Sequence, residues 1–252
     1  MAKDKERKQE LAVKDKNEVT MHDLEEQAGA GLEGVTQADY AIAFLAILQN
    51  GSPQLNRQDG SYIKGAIAGQ ILQTVSGKLF DEIEVIPCAF SHRIVEWRPR
   101  GSGGGLVMQY ERENVPTDAT TNDKGQMVRP SGNVLLPTSY HYIIILDPET
   151  APEPGVIAMT STQLKKSKRW NSLMASLKMK GRNGSFTPPT YAYKYTLTTV
   201  GESNDKGSWM GWDIQQSEMV DSKELMVIAR DLATNARTIS MGAMRKQQQE
   251  EI

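Results

Sequence analysis

The alternation of apolar and polar residues is strongest in the middle of the chain. Apolar and β-branched residues fill 83–90, 93–98, 106–110, 134–136, 139–146 and 155–159, each stretch bounded by Gly, Pro, Asn or Asp, and these predict strands. Residues 113–133 are polar and rich in Pro, Asp, Asn and Gly, which predicts a long loop. Further on, 191–200 alternates and predicts a long strand. The turn at 204–207 returns the chain through 208–214 with Trp209 and Trp212. Helical spacing predicts three other elements. Ala41, Ile42, Phe44, Leu45, Ile47 and Leu48 fall on one apolar helical face, stopped by Asn50-Gly51-Ser52-Pro53. Over 162–179, Trp170, Leu173, Met174 and Leu177 form a stripe with Lys165, Lys168 and Arg169 mostly opposite. Ser161 or Thr160 is placed to cap this helix, and Gly181 lies just past its end. Leu225, Ile228, Ala229 and Leu232 predict a last helix over 222–239.

The expected organisation is therefore a disordered charged arm (1–34), a helical lead-in (35–80), a strand-rich domain (81–216), a C-terminal helix (217–240) and a flexible tail (241–252). The fold class is mainly β with flanking helices, α+β. Strands, one helix, then two more strands is the order of a five-stranded oligonucleotide-binding (OB) barrel with its helix between strands 3 and 4. An open antiparallel sheet with helices fits the same order.

Composition changes the picture mainly through its unevenness. The hydrophobic fraction of 38% is low for a globular chain, and the deficit lies at the ends. Residues 1–34 carry six bases and nine acids among scattered apolar positions. The net charge of −2 hides a sharper division. Residues 160–195 hold eight bases and no acid: Lys165, Lys166, Lys168, Arg169, Lys178, Lys180, Arg182 and Lys194. A solvated helix face ordinarily intersperses Glu and Asp with its lysines; 36 residues without one leave the repulsion unrelieved within the segment. Trp170, Phe186, Tyr191, Tyr193 and Tyr195 lie in the same window. Cations with flat rings between them suit a polyanion with exposed bases, that is, single-stranded nucleic acid.

Individual motifs carry two readings each. Tyr191, Tyr193 and Tyr195 share one strand face, as a stacking ladder if exposed and as core if not; Lys194 implies that the other face is the wet one. Trp209 and Trp212, three apart, point to opposite faces of a regular strand, one to the core and one free to act as a base platform. Trp97, Arg98 and Arg100 stand at the lip of the turn Gly101-Ser102-Gly103-Gly104-Gly105, a cationic loop able to fold over a backbone or a plain hairpin. Those glycines match neither a phosphate loop nor a dinucleotide fingerprint.

No nucleophile with a recognisable base occurs, and His92 and His141 read as ordinary surface or core histidines. One cysteine, Cys88, and three scattered histidines exclude an internal disulfide and a conventional zinc site. No metal or other cofactor is expected, nor catalysis. Without an apolar leader or span, the expectation is a soluble, cytoplasmic protein with no membrane partner.

The stretch from Ser52-Pro53 through Ile86-Pro87, Glu96-Trp97-Arg98-Pro99-Arg100 and Gly103-Gly104-Gly105 resembles a group of bacteriophage proteins found among replication genes. So does the later stretch Ser161-Thr162-Gln163-Leu164-Lys165, Arg169-Trp170, Tyr193, Tyr195 and Gly207-Ser208-Trp209. The resemblance covers roughly residues 40–215. It implies a phage single-stranded DNA-binding protein built on an OB barrel. The expected partners are single-stranded DNA and replication or recombination proteins in the host cytoplasm, with a homo-oligomer left open. Such proteins often end in an acidic tail, which here shrinks to Glu250-Glu251. On this reading Lys165, Lys166, Lys168, Arg169, Lys178, Lys180, Arg182, Arg98 and Arg100 follow the backbone, and Trp97, Tyr193, Tyr195 and Trp209 or Trp212 stack. A single-strand annealing recombinase and a virion or assembly protein are the alternatives.

Overall fold

The computed structural model describes residues 19–35, 41–123, 125–205 and 207–247, with side chains as far as residue 236 and Arg100 excepted. Residues 1–40 and 41–252 form separate compact units. In the first, residues 1–18 lie outside the described part of the expected arm. Thr20 caps the short helix α1 (Met21–Glu25) and Asp23 returns a bond to the Thr20 backbone, a capping box; α1 buries nothing.

The second unit is built on one eleven-stranded sheet. Its strands in chain order are β1 (Ala43–Ile47), β2 (Ile71–Gln73), β3 (Leu79–Phe80), β4 (Ile83–Trp97), β5 (Leu106–Tyr110), β6 (Thr120–Thr121), β7 (Met127–Val128), β8 (Val134–Leu146) and β9 (Glu153–Thr160). After helix α2 (Leu164–Ser176) comes a separate hairpin of β10 (Met179–Gly181) and β11 (Gly184–Phe186). Then β12 (Tyr193–Asn204), β13 (Gly207–Met219) and helix α3 (Lys223–Gln247) follow. Across the sheet the order is β13-β12-β4-β8-β9-β1-β2-β3, with β5 beside β4 and β7 beside β8. The mainly β, α+β class stands. The count does not: the sheet has more than twice the five strands of the expected barrel.

The surplus comes from β1, β2, β3, β6 and β7, where no strand is expected, while residues 83–90 and 93–97 lie in one 15-residue strand and 134–136 joins 139–146 through Pro137. Pro87, in the body of β4, sits where the register against β8 shifts between Pro87 and Ala89, a bulge that tolerates its missing N–H. The apolar stretch at 41–48 is also not a helix. It is β1, parallel to β9 and antiparallel to β2. Ala43, Leu45 and Ile47 face one core, while Ile42 and Phe44 pack in another. A short strand apolar on both faces has the same composition as one face of a helix, and only its neighbours decide. At the other end, residues 217–219 belong to β13 and the last helix runs on to Gln247, through part of the expected tail; 248–252 lie outside the described residues.

Burial on both faces explains why β8 shows no alternation. Ile143, Ile144 and Ile145 are all fully buried. Ile143 and Ile145 meet Trp170 and Met174 of α2, and Ile144 joins the cluster where Leu225, Ile228, Ala229 and Leu232 of α3 pack. One helix thus covers each face of the central strands. Gly155 lets β1 approach: a Cβ there would lie 2.6 Å from Ile145 Cδ1 and 3.3 Å from the Ala43 carbonyl oxygen. Gly155→Ala is expected to cost about 1–3 kcal/mol in urea unfolding. A loss below about 0.5 kcal/mol would mean that Ile145 yields freely.

Candidate nucleic-acid interface

Helix α2 begins with the 3-10 turn Ser161–Gln163 and has no side-chain cap at either expected residue; Ser161 takes a positive φ of 50°. The helix closes at Leu177, two residues short of the expected end, and Gly181 instead closes β10 in the hairpin. Ser167, Trp170 and Met174 face the sheet. Lys165, Lys168 and Arg169 are exposed on the outer side. The hairpin pairs Gly181 with Gly184, putting Arg182 and Asn183 in a two-residue loop, and Gly184 holds a φ of 110°, a conformation only glycine adopts easily. Lys180, Arg182 and Phe186 are exposed, and so is Lys178, which donates to Thr187.

Not all eight bases are free. Lys166 pairs with Glu202 at 2.9 Å, and Lys194 lies 4.0 Å from Glu84. The Glu202 carboxylate also accepts from Trp209 Nε1 at 2.8 Å and from Gln163, and lies where a side chain on Gly211 would stand. The Lys166 bond, foremost, holds its pKa below the usual range. Arg169 lines a small cleft with Asp213, without a pair inside 4 Å. Lys165, Lys168, Arg169, Lys178, Lys180 and Arg182 therefore form the cationic surface, with Lys166 and Lys194 corrected to intramolecular partners.

The aromatic positions are corrected further. Tyr195 and Trp212 are 0% and 3% exposed and belong to the core beneath α2, so neither can stack on a base. Burial pushes the Tyr195 hydroxyl up to about 12. Tyr193 is half-buried against the same core, and Trp209 is half-buried with its indole N–H committed to Glu202. Trp97 is half-buried beside Val95 and Tyr140. Arg98 is exposed, but the glycine turn after it is bonded rather than loose: Arg98 N–H donates to Gly105, and Ser102 and Gly104 N–H to Pro99. Arg98 lies just past the end of β4, six residues and about 20 Å of extended chain from His92 at 3.3 Å per residue, so the structure does not join it to α2. The Arg100 side chain lies outside the described residues.

Under α2 a ring stack runs inward. Phe90 tilts against His141 at 5.1 Å, His141 stacks on Trp170 at 4.5 Å, and Trp170 meets Tyr195 edge-on at 5.6 Å. His141 Nε2 is 2.8 Å from Ser167 Oγ, while its Nδ1 has no hydrogen-bond partner among the described residues. Burial pushes the His141 pKa down to about 3.

Where the stack reaches the surface, a cavity of about 400 Å³ opens between β4, β8, α2 and the turn Arg112–Asn114. Phe90, 45% exposed, lines it with His92, Arg112 and Lys168, and no lining residue among those described is acidic. Sequence reasoning singled out neither Phe90 nor Arg112, and took His92 for an ordinary histidine. The available signal was that Phe90 and His92, two apart, share a face of one strand; Arg112 comes from a turn that no spacing connects to them.

Among the described residues no cluster of His, Cys, Asp and Glu is arranged to hold a metal ion, and no helix is long and apolar enough to cross a membrane. A family model described as Pam3 phage gp34-like protein matches residues 13–241. No curated protein and no solved structure matches.

Proposed function

The chain belongs to the Pam3 phage gp34-like family, and on that premise we propose that it binds single-stranded DNA, without catalysis, in phage DNA replication or recombination. The observation that carries the reading is the strip of exposed cations on α2 and the β10–β11 hairpin, six of them without a carboxylate pair among the described residues. An unneutralised strip on a protein of net charge −2 favours a polyanion over non-specific attraction. Exposed Phe186, opposite Met179 in the same hairpin as Lys180 and Arg182, offers a ring to bases that only a single strand presents freely. The OB barrel survives in this reading only as a mode of use, nucleic acid lying across one side of a sheet and its flanking elements. The Ser167–His141 contact is structural on this reading: both are buried, His141 is a weak base, and no carboxylate among the described residues orients its Nδ1.

The test is titration of an unstructured oligonucleotide at several salt concentrations, followed by tryptophan fluorescence. The log–log slope should be about −0.7 per phosphate contact. Reversing three charges (K165E/K168E/R169E) should reduce its magnitude by about 2. Binding insensitive to salt would sink the proposal, and an unchanged slope in the triple variant would remove α2 from the contact.

A further inference from the structure

The cavity beside Phe90 has features that a backbone-tracking strip does not need. It is bounded by four elements and open on one side, and its volume of about 400 Å³ lies within the range that holds a small ligand. Arg112 and Lys168 enter from opposite elements, a turn and a helix, and His92 from the strand between them. Asn171 and buried Ser139 add neutral polar groups, and Ser139 Oγ lies 3.3 Å from His92 Nδ1. Among the described residues no acid lines the cavity, and the first turn of α2 carries none. Phe90 supplies an apolar wall whose far side is fixed against His141.

His92 is held below the ordinary histidine range first by burial, then by Arg112, Lys168 and Arg93. Arg93 is itself paired with Glu111 at 2.7 Å, whereas neither Arg112 nor Lys168 has a carboxylate within 4 Å among the described residues. Arg112 and Lys168 both stand exposed at the rim of the cavity, so two cations are open to one anion there, and an internal phosphodiester carries a single charge. A phosphate monoester carries nearly two and three strong acceptors.

We infer that this cavity is a subsite for a nucleotide bearing a phosphate monoester, the phosphate held between Arg112 and Lys168 with His92 beneath it and the base against Phe90. The ligand is either a phosphorylated strand end or a free mononucleotide. The inference rests on the strand-binding reading only for choosing a nucleotide among phosphate monoesters.

Calorimetric titration of the full chain with thymidine monophosphate, thymidine and inorganic phosphate tests the chemistry. The monophosphate should bind at least about tenfold more tightly than either, since a charge-assisted contact and a stacked base both contribute on that scale. Arg112→Gln should abolish the preference over thymidine, and Phe90→Ala the preference over inorganic phosphate. Oligonucleotides of one sequence with a 5′-phosphate, a 3′-phosphate or neither distinguish the sources. A preference for a phosphorylated end, lost in R112Q, identifies the strand end; mononucleotide binding without that preference identifies the free ligand. If the monophosphate binds no better than thymidine and the three oligonucleotides bind alike, the subsite is refuted even where salt-dependent strand binding persists. Conversely, monophosphate binding with no affinity for any oligonucleotide would overturn the proposed function and leave the subsite standing.

Discussion

Arg129→Met is expected to destabilise the protein by about 3–5 kcal/mol, because it leaves a buried carboxylate without its cation. Glu96, at the end of β4, is 1% exposed. Arg129 Nη1 lies 3.1 Å from it, Asn133 donates to it at 2.6 Å, and the Tyr110 hydroxyl donates to it as well. Burial pushes the Glu96 pKa upward, but the bonds from Tyr110, Asn133 and Arg129 outweigh that and hold it below the usual value. A residue of β4 thus joins β5 and both ends of the turn before β8, and Arg129 extends the network to Asp118 at 2.9 Å. Urea unfolding should show a lower midpoint with an unchanged slope. Adding E96Q should recover part of the loss, since the charge that needed a partner is gone. A loss below about 1 kcal/mol for R129M, or no recovery in the double variant, would mean that water reaches Glu96.

The second large effect is expected on acidification. His141 is neutral in the folded protein down to about pH 3, while an unfolded histidine takes up its proton near 6.5. Between those values the unfolded chain binds a proton that the folded one does not, so stability falls as pH falls. The loss should be about 2 kcal/mol from pH 7 to 5, reaching on the order of 4 kcal/mol near pH 3. His92, also lowered, acts in the same direction. Glu96 and Asp147 have depressed values, and their contribution is lost only as pH falls below the unfolded carboxylate range. The interval from 6.5 to 5 therefore isolates the histidines. His141→Gln should flatten it, whatever its cost at pH 7; an unchanged slope would locate the acid sensitivity elsewhere.

Element types were mostly readable where one face of an element is wet. The hairpin of β12 and β13 was read with its turn at Asn204, and the last helix through Leu225, Ile228, Ala229 and Leu232. The stripe Trp170, Met174 located α2. Reading failed where both faces are dry. Residues 41–48 then carry no periodicity that separates helix from strand, and the apolar stretches of β4 and β8 are interrupted at Ser91-His92 and Pro137-Thr138 without either strand ending there. In the candidate interface, local composition identified the cations because charge density is a property of the segment. It misassigned Tyr195 and Trp212 because which side of β12 and β13 is covered depends on α2 packing there.

By itself, the sequence determined a mainly β body with two substantial helices and one segment of 36 residues in which positive charge is unopposed. Those are consequences of spacing and composition, which neighbours in the chain fix. Only the tertiary structure decided which cations remain unpaired, because Glu202 and Glu84 reach Lys166 and Lys194 from strands distant in sequence. It alone also assembled Phe90, His92, Arg112 and Lys168 around one cavity. Their meeting depends on sheet register and helix docking, which no local pattern encodes.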